Sequence, residues 1–154
     1  QTSEAPYGTK NGEVNTPNPT QQRVLEWVDR HRAIPNLDQD NIPVLYVQGG
    51  NGSGKSRALL APVIEILTQI DGIRILWGRY DFKDLKLSIM DAFFSIVPGE
   101  LFEDKDEQYH FYDIKTPTGK SRIYFNGLKD LGGCGSQEFA IIVVTEAHEI
   151  TEAI

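Results

Sequence analysis

The stretch Gly49-Gly50-Asn51-Gly52-Ser53-Gly54-Lys55-Ser56 constrains this chain more than any other part of it. It fits the pattern G-x-x-x-x-G-K-[ST] at every fixed position. Glycines allow successive backbone N–H groups to curl around an anion at positive φ. A helix starting near Lys55 would point its N-terminal partial charge at the same anion. Lys55 would reach the β- and γ-phosphates of a nucleotide, and the Ser56 hydroxyl would ligate Mg²⁺. The flanks agree with this reading. Val44-Leu45-Tyr46-Val47 is a short apolar run that ends in glycines, as a buried strand should, and Arg57 to Ile70 has a helical pattern. Pro62 interrupts that helix close enough to its start to be tolerated. The bland alternative is a chance glycine turn beside a lysine, and the strand before and helix after count against it. ATP with Mg²⁺ is the expected ligand. The residues expected to hold it are Gly49, Gly50, Asn51, Gly52, Ser53, Gly54, Lys55 and Ser56, with the adjacent Arg57.

The rest of the chain supplies an α/β order. Residues 1–19 are polar and rich in Gly, Pro, Asn and Thr, and read as a flexible N-terminal arm. A domain is expected over 20–154. Val24, Leu25, Trp27 and Val28 predict a helix that Thr20 could cap. Ala33 to Pro43 reads as a loop. Beyond the glycine stretch, Asp71-Gly72 predicts a turn, Ile73–Trp77 a strand, and Phe82–Val97 a helix with Leu85, Ile89, Phe93 and Val97 inward. Glu100 to Glu107 carries five acids and one lysine and reads as a solvated loop. Tyr109–Ile114 and Ser121–Phe125 flank Thr116-Pro117-Thr118-Gly119, a good hairpin turn. Gly127–Ser136 reads as a glycine-rich loop, Phe139–Val144 as an uninterrupted apolar strand, and Thr151–Ile154 as part of a helix. The expected fold is a P-loop NTPase of RecA-like type: a mainly parallel sheet flanked by helices, with an antiparallel hairpin.

A phosphate loop of this kind works with a carboxylate at the end of a neighbouring buried strand, which holds Mg²⁺ through water or polarises the attacking water. The apolar strand here is followed by Thr145-Glu146-Ala147-His148-Glu149. This resembles the Asp-Glu-Ala-His signature of helicase-like ATPases, with Thr145 where Asp would stand. Glu146 is the candidate catalytic base, Lys55 a catalytic partner at the phosphates, and Thr145 with Ser56 the candidate metal ligands. The competing reading of Glu146 is an acid placed favourably at a helix N-terminus. A threonine brings no negative charge, so Mg²⁺ affinity should fall. Glu149 could face the same way, with doubtful reach to the metal. His31, His110 and His148 read as structural.

Length and charge set limits. With 154 residues the chain suits one domain with a core of its own. It has no apolar run of about 18 residues, so no membrane partner is expected. Its single cysteine, Cys134, forms no internal disulfide and fits a reducing cytoplasm. The start at Gln1 shows no signal-peptide pattern and lacks Met, which suggests trimming. A net charge of -7 makes the isolated domain a poor nucleic-acid binder, so any basic surface is expected elsewhere or assembled from several copies.

From about Pro19 to Ile150 the chain resembles the ATPase half of the phage terminase large subunits. The phosphate loop and the Glu-Ala pair are shared with many ATPases. Three further segments carry the resemblance, and the last of them, at its spacing between the two shared motifs, is what favours the terminases. Pro19-Thr20-Gln21 before Val24-Leu25 is similar to the family's upstream Gln motif. Ile73 to Tyr80, then Asp84-Leu85-Lys86-Leu87-Ser88, is similar to its strand-arginine-helix segment. Ser121 to Leu128 ends in the family's Phe-x-Gly-Leu turn. The resemblance implies an ATP-hydrolysing motor that drives double-stranded DNA into a capsid. It implies adenine contact by Gln21, with Gln22 the alternative. It also implies a homo-oligomeric ring, a portal protein and a small terminase subunit as partners, and the cytoplasm of an infected bacterium as location. Two departures stand out: Asn51 occupies a position where many terminases have arginine, and Thr145 replaces the acid. Arg57, Arg79 or a neighbouring subunit's arginine could compensate for the first. The nuclease half is absent, so the chain reads as an N-terminal fragment truncated at its C-terminus. The alternatives are a helicase-like nucleic-acid translocase and a nucleotide-binding module with weak hydrolysis. A small-molecule kinase is disfavoured by the acidic stretch from Glu100 to Glu107.

Overall fold

The computed structural model of the chain describes residues 9–10, 13–14, 19–31, 45, 55–129 and 138–149. Several expected features lie outside these residues: most of the strand over 44–47, the loop over 33–43, Gly49 to Gly54, Cys134, most of the loop over 127–136, and the helix at 151–154. Two compact units divide the chain, Gln1–Val63 and Ile64–Ile154.

In the first unit, β1 (Thr9–Lys10) pairs antiparallel with β2 (Glu13–Val14), inside the stretch expected to be an arm. Helix α1 covers Pro19–His31. It starts at proline, whose fixed φ and missing N–H suit a first helical position. Thr20 is the second residue of this helix. Val24 is buried and Leu25 and Trp27 are half-buried, as their spacing predicted. Helix α2, Lys55–Gln69, runs across the boundary of the two units and begins at the lysine of the glycine motif, as expected. Pro62 lies in the helix interior, beyond the first turn and not close to the start, and there it deprives the residue 58 carbonyl of its N–H partner.

The second unit is built on a five-stranded sheet in the order β4-β5-β6-β3-β7. The strands are β3 (Arg74–Arg79), β4 (Phe102–Asp106), β5 (Phe111–Lys115), β6 (Lys120–Gly127) and β7 (Ile141–Val144). β3 runs parallel to β6 and to β7, while β4, β5 and β6 form an antiparallel meander. The expected hairpin therefore exists, and it gains a third strand. The acidic segment read as a loop is that strand, β4, whose Glu103, Asp104 and Lys105 are all exposed. Its charges face water along the outer edge of the sheet, so they do not obstruct pairing with β5.

Side chains of paired residues share a face of the sheet. Ile75 and Trp77 of β3 therefore lie beside Ile123 and Phe125 of β6, and beside Ile141 and Val143 of β7. Tyr112 and Ile114 of β5 continue this face. It is covered by the helical run after β3, made of α3 (Phe82–Leu85), a π-helical turn (Lys86–Met90) and α4 (Asp91–Ile96). Leu85, Ile89, Phe93 and Val97 are all buried, as predicted, and the wider π turn brings Met90 inward as well. Phe93 meets Phe125 edge-on at 5.2 Å, and Phe94 meets Tyr112 at 4.9 Å, the offset geometry aromatic rings prefer. Ser121 on the same face donates to the Leu67 carbonyl at 2.6 Å. On the opposite face, Tyr124 packs edge-on to Phe139 at 5.4 Å. There Ile142 and Val144 are 60% and 39% exposed, so β7, outermost of the described strands, is buried on one face only.

The β5–β6 turn is tied to the turn after α2. Asp71 Oδ1 accepts from the Lys120 N–H at 2.9 Å, and Gly72, at φ 76°, donates to the Lys120 carbonyl at 2.8 Å. The Phe-x-Gly-Leu segment also has a packing reason. Leu128 lies so close over Gly78 that a Cβ there would fall 2.5 Å from its Cδ2, and a Cβ on Gly127 would meet the Phe82 backbone nitrogen at 3.0 Å.

Candidate active site

In open α/β sheets ligands bind beyond the carboxyl ends of the parallel strands. Here β3 ends in Gly78-Arg79, β6 in Asn126-Gly127, and β7 runs into Thr145-Glu146. Thr145 is buried. Its N–H donates to the Gly78 carbonyl at 3.0 Å, continuing the β3–β7 ladder by one residue. Its Oγ1 lies 3.5 Å from the same carbonyl. Two hydroxyl lone pairs remain to face a hard cation or its water shell.

Glu146 takes φ 53°, the left-handed region that side chains other than glycine, asparagine and aspartate rarely adopt. Such strain costs on the order of 1–3 kcal/mol and gathers at functional sites. The turn closes where the Glu149 N–H donates to the Glu146 carbonyl at 3.0 Å. His148 Nδ1 stands 3.5 Å from Glu146 Oε2, too long for a strong contact. The strain gives a simple test. Glycine normally costs stability relative to alanine, but here Glu146→Gly should be about 1 kcal/mol more stable than Glu146→Ala, because only glycine occupies this φ without penalty. Chemical denaturation of the two variants measures the difference.

Arg79 is half-buried and donates from Nε to Glu149 Oε1 at 2.9 Å. The Glu149 hydrogen bond holds its guanidinium more firmly protonated than usual. Partial burial works the other way, and the charges of Glu149, Asp84 and Glu146 add to the rise. Thr145, Glu146, His148, Glu149 and Arg79 thus gather at one end of β3 and β7. Of these, the Arg79–Glu149 pair was not legible in sequence, where 70 residues separate the partners.

Other expected site residues are described less fully. Lys55, Ser56 and Arg57 form the first turn of α2, the part of a helix whose backbone N–H groups have no partner within the helix. Gln21 lies in α1. The side chains of these four are not among those described, and Gly49 to Gly54 lie outside the described residues. His110, read as structural, stacks on Phe82 at 4.0 Å with φ 55°. It borders a cleft of about 530 Å³ near the end of β6 that sequence reasoning had not anticipated. Burial and the Lys86 charge lower its pKa.

This is a mixed α/β fold built on one five-stranded sheet. Among solved structures it is similar to the large terminase from a thermophilic bacteriophage. One crystal form aligns at TM-score 0.64 and 15% identity over 86% of this chain. A second, solved in complex with ADP, aligns at 0.64 and 15% over 88%. Another structure, from the same crystal form as the ADP complex, aligns at 0.54 and 12% over 82%. The chain spans about one third of the length of these proteins, 33% in the first two. No family model and no curated protein matches the sequence. Among the described residues, no helix is long and apolar enough to cross a membrane.

Proposed function

We propose that this chain is the ATP-binding and ATP-hydrolysing domain of a viral DNA-packaging motor, with the large terminase as its functional relative. The observation that carries the reading is Glu146: an acid held in a strained turn directly after a strand that lies parallel beside β3. Two facts support it from outside that turn. Helix α2 begins at the lysine of the G-x-x-x-x-G-K-[ST] motif, and one similar terminase was solved in complex with ADP. In this reading Lys55 and the backbone from Gly49 to Gly54 hold the phosphates. Ser56 and Thr145 supply oxygen ligands for Mg²⁺ or its waters, Gln21 contacts the adenine, and Glu146 takes a proton from the attacking water. Mg²⁺ would neutralise charge developing on the γ-phosphate. The partners would be double-stranded DNA, further copies in a ring, a portal protein and a small terminase subunit, in the cytoplasm of an infected bacterium. The charge of -7 is consistent with DNA contact that depends on assembly.

The binding half of the proposal is tested without turnover. Titration of a fluorescent ATP analogue with Mg²⁺ should show saturable binding by the chain and a loss of about tenfold or more in Lys55→Ala, since a charge-assisted phosphate contact is removed. Equal affinity in both proteins would sink the phosphate-loop assignment. A second reading, a nucleotide-binding module that scarcely hydrolyses, is favoured by Thr145, a neutral residue beside the Gly78 carbonyl. Thr145→Asp should then raise turnover and tighten Mg²⁺ dependence.

A further inference from the structure

The turn that carries Glu146 is fixed to β3 at both ends. At its start the Thr145 N–H donates to the Gly78 carbonyl at 3.0 Å. At its finish Glu149 accepts from Arg79 Nε at 2.9 Å. Gly78 and Arg79 are consecutive, so one short piece of β3 grips both sides of a four-residue turn held at φ 53°. A strained conformation persists only where its surroundings over-determine it. The first anchor is backbone and independent of side chain. The second is a side-chain ion pair, with both partners about three-quarters buried at 22% and 27% exposure. Gly78 itself is pinned under Leu128, so the gripping segment has little freedom to move.

We infer that Arg79 and Glu149 are a positioning pair: they hold the Glu146 turn in its left-handed form and thereby aim the Glu146 carboxylate, without touching nucleotide themselves. This rests on the proposed role of Glu146 and adds two residues to it. It also assigns Arg79 a task other than replacing the missing phosphate-loop arginine. A guanidinium engaged through Nε to Glu149 is turned toward the turn, and rupture of that pair would release Glu146 to an unstrained φ.

The test uses the full chain and two independent readouts. In hydrogen exchange without nucleotide, Arg79→Gln and Glu149→Gln should each speed exchange of the amides from Thr145 to Glu149, leaving those of β5 and β6 unchanged. In steady-state turnover the same variants should lower kcat by about ten- to a hundredfold, the size of a small misplacement of a catalytic group, with KM for ATP little changed. The double variant should be no worse than either single one, because both remove one interaction. Unchanged exchange in both single variants overturns the inference, and so does a raised KM with kcat retained in Arg79→Gln, which would mean direct contact with ATP. Additive losses in the double variant overturn it as well. Should Glu146→Gln leave turnover intact while the exchange effects appear, the pairing stands as a clamp on the turn and the assignment of Glu146 as base fails instead. A chain without measurable turnover is decided by exchange alone.

Discussion

Replacing Arg122 with alanine should destabilise the chain by about 3–5 kcal/mol, the usual result of removing one partner from a buried ion pair. Asp113 on β5 is 1% exposed. It is held bidentately by Arg122 of β6, at 2.6 Å from Nε and 3.0 Å from the second guanidinium nitrogen, with Lys120 Nζ at 3.2 Å. The two residues stand directly opposite one another in the β5–β6 ladder. The guanidinium also lies over the Phe111 ring at 3.8 Å, which adds a cation–π contact. Without Arg122 the carboxylate keeps only the half-exposed Lys120, and its desolvation goes largely uncompensated. Domains of this size have about 5–15 kcal/mol of stability in total, so urea denaturation at neutral pH should show a plain shift of the midpoint. Pairing Arg122→Met with Asp113→Leu should recover much of the loss, because the uncompensated charge is then gone. Equal midpoints for Arg122→Ala and the parent chain would refute the argument.

The same pair gives a pH dependence of known sign. Burial pushes the Asp113 carboxyl up, but hydrogen bonds and charge from Arg122 and Lys120 outweigh it and hold it below the usual carboxylate range. A folded-state value below the unfolded one means that the stabilisation is complete above the ordinary aspartate value of about 3.9 and is lost as pH falls through the folded value. The parent chain should therefore lose stability on acidification more steeply than Asp113→Asn over that window.

The second large effect concerns turnover. If Glu146 is the base proposed above, Glu146→Gln keeps the shape of the side chain but removes the proton acceptor. General-base catalysis contributes on the order of 10²–10⁴-fold, so steady-state hydrolysis of Mg-ATP should fall by that factor while binding of the ATP analogue is retained. Turnover within a few-fold of the parent chain would place the base elsewhere. Retention of binding matters as much as loss of rate, because it separates this variant from Lys55→Ala.

Much of this architecture was legible because it is periodic. Leu85, Ile89, Phe93 and Val97 recur at helical spacing and are all inside. The strands over Arg74–Arg79 and Lys120–Gly127 were found from their apolar centres but fell short at their ends. There Gly78, Arg79 and Gly127 are held by the parallel register, not by their own propensity. The acidic strand was missed because its side chains face water, and an exposed edge places little demand on hydrophobicity. The Asp113–Arg122 pair left one trace, an acid inside the otherwise apolar Phe111-Tyr112-Asp113-Ile114, and its partner is fixed only once strand register is known. At the candidate site, Thr145 and Glu146 could be named from their place after an apolar run. The left-handed turn could not, since glutamate carries no such preference, and the Arg79–Glu149 contact depends on two strands distant in sequence lying side by side.

The charged strand β4 has a consequence for assembly. An open sheet margin is a template on which another chain can add a strand, and natural proteins blunt it with charge. Here Glu103, Asp104 and Asp106 line that margin, relieved by one lysine. Two copies offering this margin to each other would set like charges face to face. Neighbouring copies of this chain would thus be kept from joining along this margin into one continuous ribbon.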